Sequence, residues 1–596
     1  MKNWLLSAPY RIPLCLSAWV LLFYGFALGS LEFLRHTEAD RTLISWEMLE
    51  HGRLLVPTLL NSEILTKPPL YYWCSAFWLW LLGTDSVGVA RLTSLFAALG
   101  GVLFQYYAWF VISRNRALSG IAAFALSTTI IFFSLGTVAE IDMLFGVLTM
   151  GAITSLFFLI EGKGKENRIF ILLLGFFTAG AFLTKGPPVV FFLIGTAGTY
   201  FFWILLTRSR TMFFSTLVSF SGRLFLSMLI ALILVLLWLV PLGLEVGWEV
   251  LGDRLEEEVF LRVLNFSGRG RGVLFYVVAL FVNGLPWTFF LLIGLLRFFF
   301  VKAQEGEIWT DRVSPVLEKN PLVKHFFQFS VCVILSGFIM LSIAQGKSSR
   351  YSFPLTPFLL NISILFSFQC LKPQVFRKIV SGSKVLSLLL LAGSLFTLIF
   401  ITLEGVSVIS FYSAVSLLSF LGLLIFFSKP RYIWKHWLVY MIILLLIVRG
   451  AYTLMYIPHR NATRGVTLLA EDIVRELGDS PIYTVEMFER WTVYYAKRIG
   501  TPAYRLTPAR IESIPDSEDQ IPVLLALEEE IWRYEQLTFY DQNTSLKRVF
   551  PHTTSAAYLV YTSRDALSRL GVSSTFPTYP SIPFYPELAE RNLIGK

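Results

Sequence analysis

What most constrains this chain is a succession of apolar stretches long enough to cross a bilayer, separated by short charged loops. An α-helix needs about 20 apolar residues to cross about 30 Å of hydrocarbon. Runs of that kind fall near residues 13–31, 87–112, 117–136, 141–160, 169–183, 188–206, 224–244, 273–296, 326–344, 353–370, 385–403, 407–427 and 437–457, about thirteen in all. The run at 169–183 is short, and 273–296 contains Asn283 and Pro286; neighbouring helices can resatisfy the backbone around such residues. The 596 residues are 55% apolar and 15% charged, which removes the soluble globular class from consideration. We expect a polytopic α-helical membrane protein.

Charge orients the spans. With the N-terminus inside, the inner segments carry 22 Lys and Arg against 11 in the outer loops before residue 458. Such a bias in short loops is the positive-inside signal, and an odd number of spans then leaves the C-terminus outside. The same basic loops account for the net charge of +10, so nucleic acid is not an expected partner. The apolar run after Lys2 and Arg11 is followed by no small-residue cleavage site, and reads as a retained first span rather than a signal peptide. Cys15, Cys74, Cys332 and Cys370 lie in or beside apolar segments without a CxxC spacing. They read as packing residues, not as a disulfide framework.

Residues 458–596 are a different kind of sequence. Polar helical patterns such as GVTLLAEDIVRELGDS alternate with short strand-like runs, PIYTVE, IPVLLALE and AAYLVYTS. The expected organisation is a transmembrane domain over 1–457 and an extramembrane α/β domain of about 140 residues on the outer face.

The outer segment 32–86 is too long for a plain connector. Leu43, Ile44, Trp46, Met48 and Leu49 suggest an interfacial amphipathic helix, and the Trp- and Tyr-rich run at 70–83 is too short to span. Lys67, just before it, is expected at the depth of lipid phosphates. Other outer loops place Glu140 and Asp142 at the start of a span, Lys185 between two spans, and Lys347, Arg350 and Tyr351 in a later loop. Ionisable groups at membrane depth are costly and usually face a cavity or a partner. Lysine and arginine neutralise a phosphate, and a carboxylate beside them can take a proton. A lipid-linked phosphosugar suits both.

Each of these residues also has a bland reading. Lys67 can snorkel to headgroups, Asp142 can sit at a helix N-terminus where the dipole favours it, and Arg350 with Tyr351 can anchor an interface. The six histidines show no metal-ligand spacing, and Asn461-Ala-Thr463 is a glycosylation sequon of a kind common by chance. Their grouping on one face is what points to a site.

The ordered motifs EAD (38–40), WEM (46–48), LVP (55–57), KPPLYYW (67–73), RLTSLFAALGG (91–101), AEIDMLF (139–145) and FLTKGP (182–187) resemble the bacterial GT-C membrane glycosyltransferases. The nearest branch is that of the lipid A 4-amino-4-deoxy-L-arabinose transferases and their protein mannosyltransferase relatives. The resemblance covers residues 13–206 and continues more weakly through NGLPW (283–287) and GKSSRYSFPLTP (346–357). It implies a polyprenyl-phosphate-sugar donor and an inverting transfer on the periplasmic side of the inner membrane. By the resemblance, Lys67 contacts the donor phosphate, Asp142 is the second acidic position, and Lys347 and Tyr351 match a later outer loop. The acidic pair of the first outer loop usually reads Asp-Glu; here it is Thr37-Glu38, so Glu38 or Asp40 takes the missing carboxylate's role. The nearest branch has a Glu before Lys-Pro-Pro and a His before LPW that resemble metal ligands. This chain has Thr66 and a His-free 265–272, so no cofactor is assigned: a divalent metal stays open although the family-like ligand positions are not kept, and aminoarabinose is less favoured as the sugar.

The expectation is an inverting glycosyltransferase that moves a pentose or hexose, aminoarabinose among them, from a polyprenyl phosphate to lipid A, another glycolipid or a protein. Lys67, Arg41, Lys347, Arg350 and Tyr351 would hold the donor phosphate; Glu38, Asp40 and Asp142 would orient the sugar or deprotonate the acceptor. Two alternatives are a polyprenyl-phosphate-sugar flippase and a non-catalytic receptor using 458–596. A flippase calls for ionisable groups near the midplane and an internal repeat, neither of which the sequence displays.

Overall fold

The computed structural model describes residues 10–33, 36–162, 166–256, 274–289, 320–343, 346–370, most of 449–525, 545–551 and 556–563, with a few isolated positions besides. In chain order it contains α1 (Arg11–Gly25), α2 (His36–Glu50), the hairpin β1–β2 (Thr58–Leu59 and Ser62–Glu63), α3 (Leu70–Leu82) and α4 (Leu92–Ser113). There follow α5 (Arg116–Ser127), α6 (Ile130–Gly136), α7 (Ile141–Glu161), α8 (Glu166–Lys185), α9 (Pro188–Thr207) and α10 (Arg210–Val246). The bundle continues with α11 (Phe275–Asn283), α12 (Pro321–Ile343), a 3-10 turn (Ser349–Leu355) and α13 (Thr356–Cys370). Among the described residues, six helices are long and apolar enough to cross a membrane, or seven if the bent pair α5–α6 is one span.

The expected spans at 87–112, 141–160, 169–183, 188–206 and 326–344 form as α4, α7, α8, α9 and α12. Four others differ, each for a local reason. The first stops at Gly25: Ala27 is left-handed (φ 55°), and Arg91 takes the Leu28 and Leu31 carbonyls at 2.8 and 2.9 Å. Span 224–244 lies inside the 37-residue α10, whose start Ser209 caps by accepting from the Met212 amide at 3.4 Å. Span 273–296 is cut after Asn283 by the turn that carries Pro286, and 353–370 opens as the 3-10 turn. The expected spans 385–403 and 407–427, and about half of 437–457, lie outside the described residues.

The span at 117–136 is broken, with α5 and α6 meeting at 64°. Backbone groups freed inside a bilayer need partners, and neighbours supply them. The Ile130 amide donates to the Leu285 carbonyl at 3.1 Å, and the Ser127 carbonyl accepts from the Tyr24 hydroxyl at 2.5 Å. Thr128 Oγ1 donates to the Phe124 carbonyl and accepts from Trp287 Nε1 at 2.8 Å. The NGLPW segment thus fills the break.

Helix α7 is the axis of the bundle and is almost wholly buried, whereas α10 is mostly exposed to the surroundings. It packs against α4, α8, α9, α10, α12 and the 3-10 turn. Gly146 lets the turn approach, for a Cβ there would lie 1.9 Å from the Phe353 ring.

Beyond residue 457, α14 (Val466–Leu477) and α15 (Arg490–Arg498) accompany a five-stranded sheet. Its strands are β3 (Ile482–Thr484), β4 (Ala503–Arg505), β5 (Ile521–Leu525), β6 (Ser545–Pro551) and β7 (Ala556–Thr562), in the order β4-β3-β5-β7-β6. Strand β3 runs parallel to β4 and β5, whereas β7 is antiparallel to β5 and β6. Leu469, Ile473 and Tyr494 of the two helices form one core with Leu43, Ile44 and Met48 of α2 and with Tyr71 and Tyr72 of α3. The apolar side of α2 is therefore covered by protein rather than laid on lipid. Polar contacts edge this core: Thr467 Oγ1 donates to Glu32 at 2.5 Å, Lys497 pairs with Glu50 at 2.6 Å, and Arg498 with Asp85 at 3.3 Å. The Asn461 side chain accepts from the Glu32 amide and donates to the Ser30 carbonyl, so the sequon's amide is committed to the fold.

Gly146→Ala must push Phe353 and its turn away from α7. We expect a loss of about 1–3 kcal/mol, measured as thermal unfolding in detergent; an unchanged midpoint would show that the turn does not depend on this approach.

Candidate active site

The site starts at the N-terminus of α7. Unsatisfied amides there favour negative charge, and the sequence supplies Glu140 at the cap position and Asp142 in the first turn. Both are buried, at 1% and 4% exposure, so they require partners. Lys185, in the last turn of α8 where the dipole favours a cation, is ion-paired with Asp142 Oδ1. Arg350, from the 3-10 turn, reaches both acids: its Nη1 lies 3.5 Å from Glu140 Oε1 and 3.4 Å from Asp142 Oδ2. Tyr351 closes one side, with the Lys185 ammonium 4.6 Å from its ring centroid. Asn283 fixes the turn that carries these two residues, since its amide donates to the Ser349 carbonyl and Ser352 Oγ, both at 2.9 Å.

Helix α2 supplies another wall. Thr37 donates its hydroxyl to Glu140 Oε1. Arg41 donates to the Tyr72 hydroxyl at 2.7 Å and lies close enough for its charge to act on Glu140 and Asp142. Burial, with the Asp142 charge beside it, pushes the Glu140 carboxyl above the usual carboxylate range; Arg41, Arg350 and the Thr37 hydroxyl hold it down in part. Burial also pushes the Tyr71 phenol up, with the Glu140 and Glu38 charges adding to the effect, so this phenol stays neutral beside the cluster.

Of the residues singled out from the sequence, Asp142, Arg350 and Tyr351 come together directly, with Arg41 beside them. Glu38 faces elsewhere. Fully buried, it takes Arg91 Nε at 3.1 Å and Nη2 at 3.4 Å, and it also accepts from the Ala139 amide at 2.8 Å. Asp40 is buried on α2, and Lys347 is half-buried in the loop before the 3-10 turn. Lys67 lies in the turn leading to α3, half-buried, with its ammonium donating to the Thr66 carbonyl at 2.8 Å. Sequence reasoning gave Lys185 and Glu140 a place in the outer loops without a role, and it missed Arg91, Thr37 and Asn283 as partners. The signal for Lys185 was a lysine closing an otherwise apolar span. For Arg91 it was an arginine opening one.

A divalent metal does not fit the residues present. Asp142 is already paired with Lys185 and Arg350, which an ion would have to displace, and position 66 offers a threonine. Among the described residues no three His, Cys, Asp or Glu side chains gather into a ligand set.

No profile of a known protein family matches the chain. In sequence it is 27% identical over 172 residues to the undecaprenyl phosphate-α-4-amino-4-deoxy-L-arabinose arabinosyl transferase of Yersinia enterocolitica, covering 29% of this chain and 31% of that protein. The corresponding protein of Yersinia pestis is 26% identical over 172 residues, with the same coverage. The matched stretch thus spans about a third of these curated relatives. In three dimensions the chain is similar to ArnT from Cupriavidus metallidurans bound to undecaprenyl phosphate, with a TM-score of 0.68 and 15% identity over 93% of this chain and 98% of that one. Against the same protein in the apo state the TM-score is 0.63. The chain is accordingly a polytopic membrane protein with the fold of the GT-C membrane glycosyltransferases. Within that class it is similar, in sequence and in fold, to the aminoarabinose transferases.

Arg91→Met leaves the Glu38 charge buried without its guanidinium. The expected cost is about 3–5 kcal/mol, read as a lowered unfolding midpoint in detergent; wild-type stability in this variant would show the pair to be dispensable.

Proposed function

We propose that the chain is a glycosyltransferase that moves a sugar from a polyprenyl-phosphate donor to an acceptor of the cell envelope, at the periplasmic face of the bacterial inner membrane. The observation that carries this reading is the buried cluster in which Arg350, Lys185 and Arg41 face Glu140 and Asp142. Three cations against two carboxylates leave positive charge in excess, which suits one phosphate. The names of the similar proteins, which specify an undecaprenyl-phosphate-linked aminoarabinose and bound undecaprenyl phosphate, support the same donor class.

In this reading the lipid tail stays in the bilayer while the phosphate reaches the cluster. Arg350 offers a planar fork to its oxygens, and Lys67, Arg41 and Lys347 add charge. Tyr351 flanks the cluster and keeps Lys185 in place through its ring face. Asp142 orients the cations through both of its oxygens, and Asp40 orients the sugar. Glu38 acts through Arg91 and the Ala139 amide as a positioning residue for the entrance to α7. The acceptor attacks the anomeric carbon opposite the phosphate, which inverts the configuration there. Cations placed where negative charge develops on the leaving phosphate supply the main rate effect.

Arg350→Ala and Lys67→Ala should each lower kcat/KM for the donor by about 10- to 100-fold, from the loss of a charge-assisted contact of about 1.5–3 kcal/mol. Arg350→Lys should not fully rescue, because lysine lacks the fork. The measurement is sugar transfer by membranes of cells expressing each variant, paired with undecaprenyl phosphate binding to the purified chain. Unimpaired binding and transfer in both alanine variants would sink the donor assignment.

A further inference from the structure

The two carboxylates of the cluster are held differently. Asp142 gives one oxygen to each cation, Oδ1 to Lys185 and Oδ2 to Arg350 at 3.4 Å. Glu140 meets the same guanidinium nitrogen through Oε1 at 3.5 Å, on the oxygen that also accepts from Thr37. One nitrogen of Arg350 is therefore shared between two acids, at distances longer than a strong charge-assisted hydrogen bond. Arg350 is also the more exposed of the paired cations, at 30% of its side chain against 16% for Lys185. A phosphate within its reach competes for that nitrogen. When Arg350 turns to it, Asp142 keeps Lys185 on its other oxygen, whereas Glu140 gives up its Arg350 contact and keeps the Thr37 hydroxyl and the Arg41 charge.

Resting on the transferase reading above, we propose that the acceptor is an alcohol hydroxyl rather than a phosphate, and that Glu140 is the base that receives its proton. The acceptor O–H bond breaks, with the proton passing to a Glu140 carboxylate oxygen and the electron pair forming the new bond to the anomeric carbon. The bond between that carbon and the polyprenyl-phosphate oxygen breaks in turn, and its pair stays on the phosphate held by Arg350. Glu140 then releases the proton to the phosphate or to water. In the resting cluster Arg350, Arg41 and the Thr37 hydroxyl favour the ionised Glu140 carboxylate against burial and the Asp142 charge; as Arg350 turns to the phosphate, the carboxylate's affinity for a proton rises, and the proton it takes is the acceptor's. A phosphate acceptor would need no base, and it would bring a second anion against Glu140 and Asp142.

The experiment compares a deletion strain with strains restored by wild type, Glu140→Gln and Thr37→Val. Lipid extracts and the protein residue are analysed separately by mass spectrometry for the sugar lost on deletion, which tells a glycolipid hydroxyl from a protein one. The lost sugar should survive mild acid, which cleaves glycosyl phosphates but leaves glycosides of alcohols intact. Glu140→Gln should transfer about 10²- to 10⁴-fold more slowly, while the purified variant binds undecaprenyl phosphate at least as tightly as wild type, since a negative charge has left the cluster. A sugar released by mild acid and located on a phosphate overturns the proposal whether or not any variant folds, as does full transfer by Glu140→Gln. If deletion changes no glycoconjugate, the transferase reading itself fails, a result distinguishable from both.

Discussion

The buried pair of Glu38 and Arg91 determines where the rest of the site can form. A charge removed from water must be met by opposite charge and hydrogen bonds, and Arg91 satisfies its guanidinium with the Leu28, Leu31 and Glu32 carbonyls and both oxygens of Glu38. Glu38 in turn accepts from the Ala139 amide. One ion pair therefore ties together the exit of α1, the first turn of α2, the start of α4 and the entrance to α7. Register does the rest: with Glu38 on Ala139, the preceding Thr37 meets the following Glu140. The catalytic-looking contact is a consequence of the structural one beside it.

Around that anchor, each charged side chain comes from a place where the backbone favours its sign. The acids stand at the N-terminus of α7 and Lys185 at the C-terminus of α8. Arg350 has no such help, and a short turn must aim it. Asn283 grips that turn, and Gly146 and Phe353 press it on α7. The α14–α15 layer packs on Leu43, Ile44 and Met48 of α2, the helix that also carries Thr37 and Arg41. The arrangement is stiff because its members are buried and interlocked, and the half-exposed Arg350 is the part with room to move.

Much of this was legible in the sequence. Apolar runs found the long helices because period and length need no partner, and α4, α7, α8, α9 and α12 formed where expected. Helix ends were another matter. Gly25 ends α1 because distant groups, Arg91 and Arg449, bond the carbonyls that follow it, and no local signal records that. The site divided in the same way. Asp142, Arg350 and Tyr351 could be picked out, since an ionisable residue at membrane depth needs a reason. Glu38 could be picked out too, but its partner Arg91 sits within the run read as a span, 53 residues away, so its positioning role was invisible.

Charge conservation links the geometry to the direction of the proposed reaction. A polyprenyl-phosphate sugar is a phosphodiester with one negative charge, and the excess of Arg350, Lys185 and Arg41 over Glu140 and Asp142 matches it. Breaking the bond to the sugar leaves a phosphate monoester, which carries more negative charge than the donor did. Beside the buried carboxylates Glu140 and Asp142 that increment is expensive unless the site changes its own charge at the same time. Proton transfer to Glu140 makes that change: as the carboxylate is neutralised, the cations are freed to act on the leaving phosphate. The stabilisation grows as the bond breaks and is weaker in the bound ground state, which is the condition for an interaction to raise the rate rather than only the affinity. With Glu140 removed as a proton acceptor, the same cations would still bind the donor but would no longer distinguish it from the transition state.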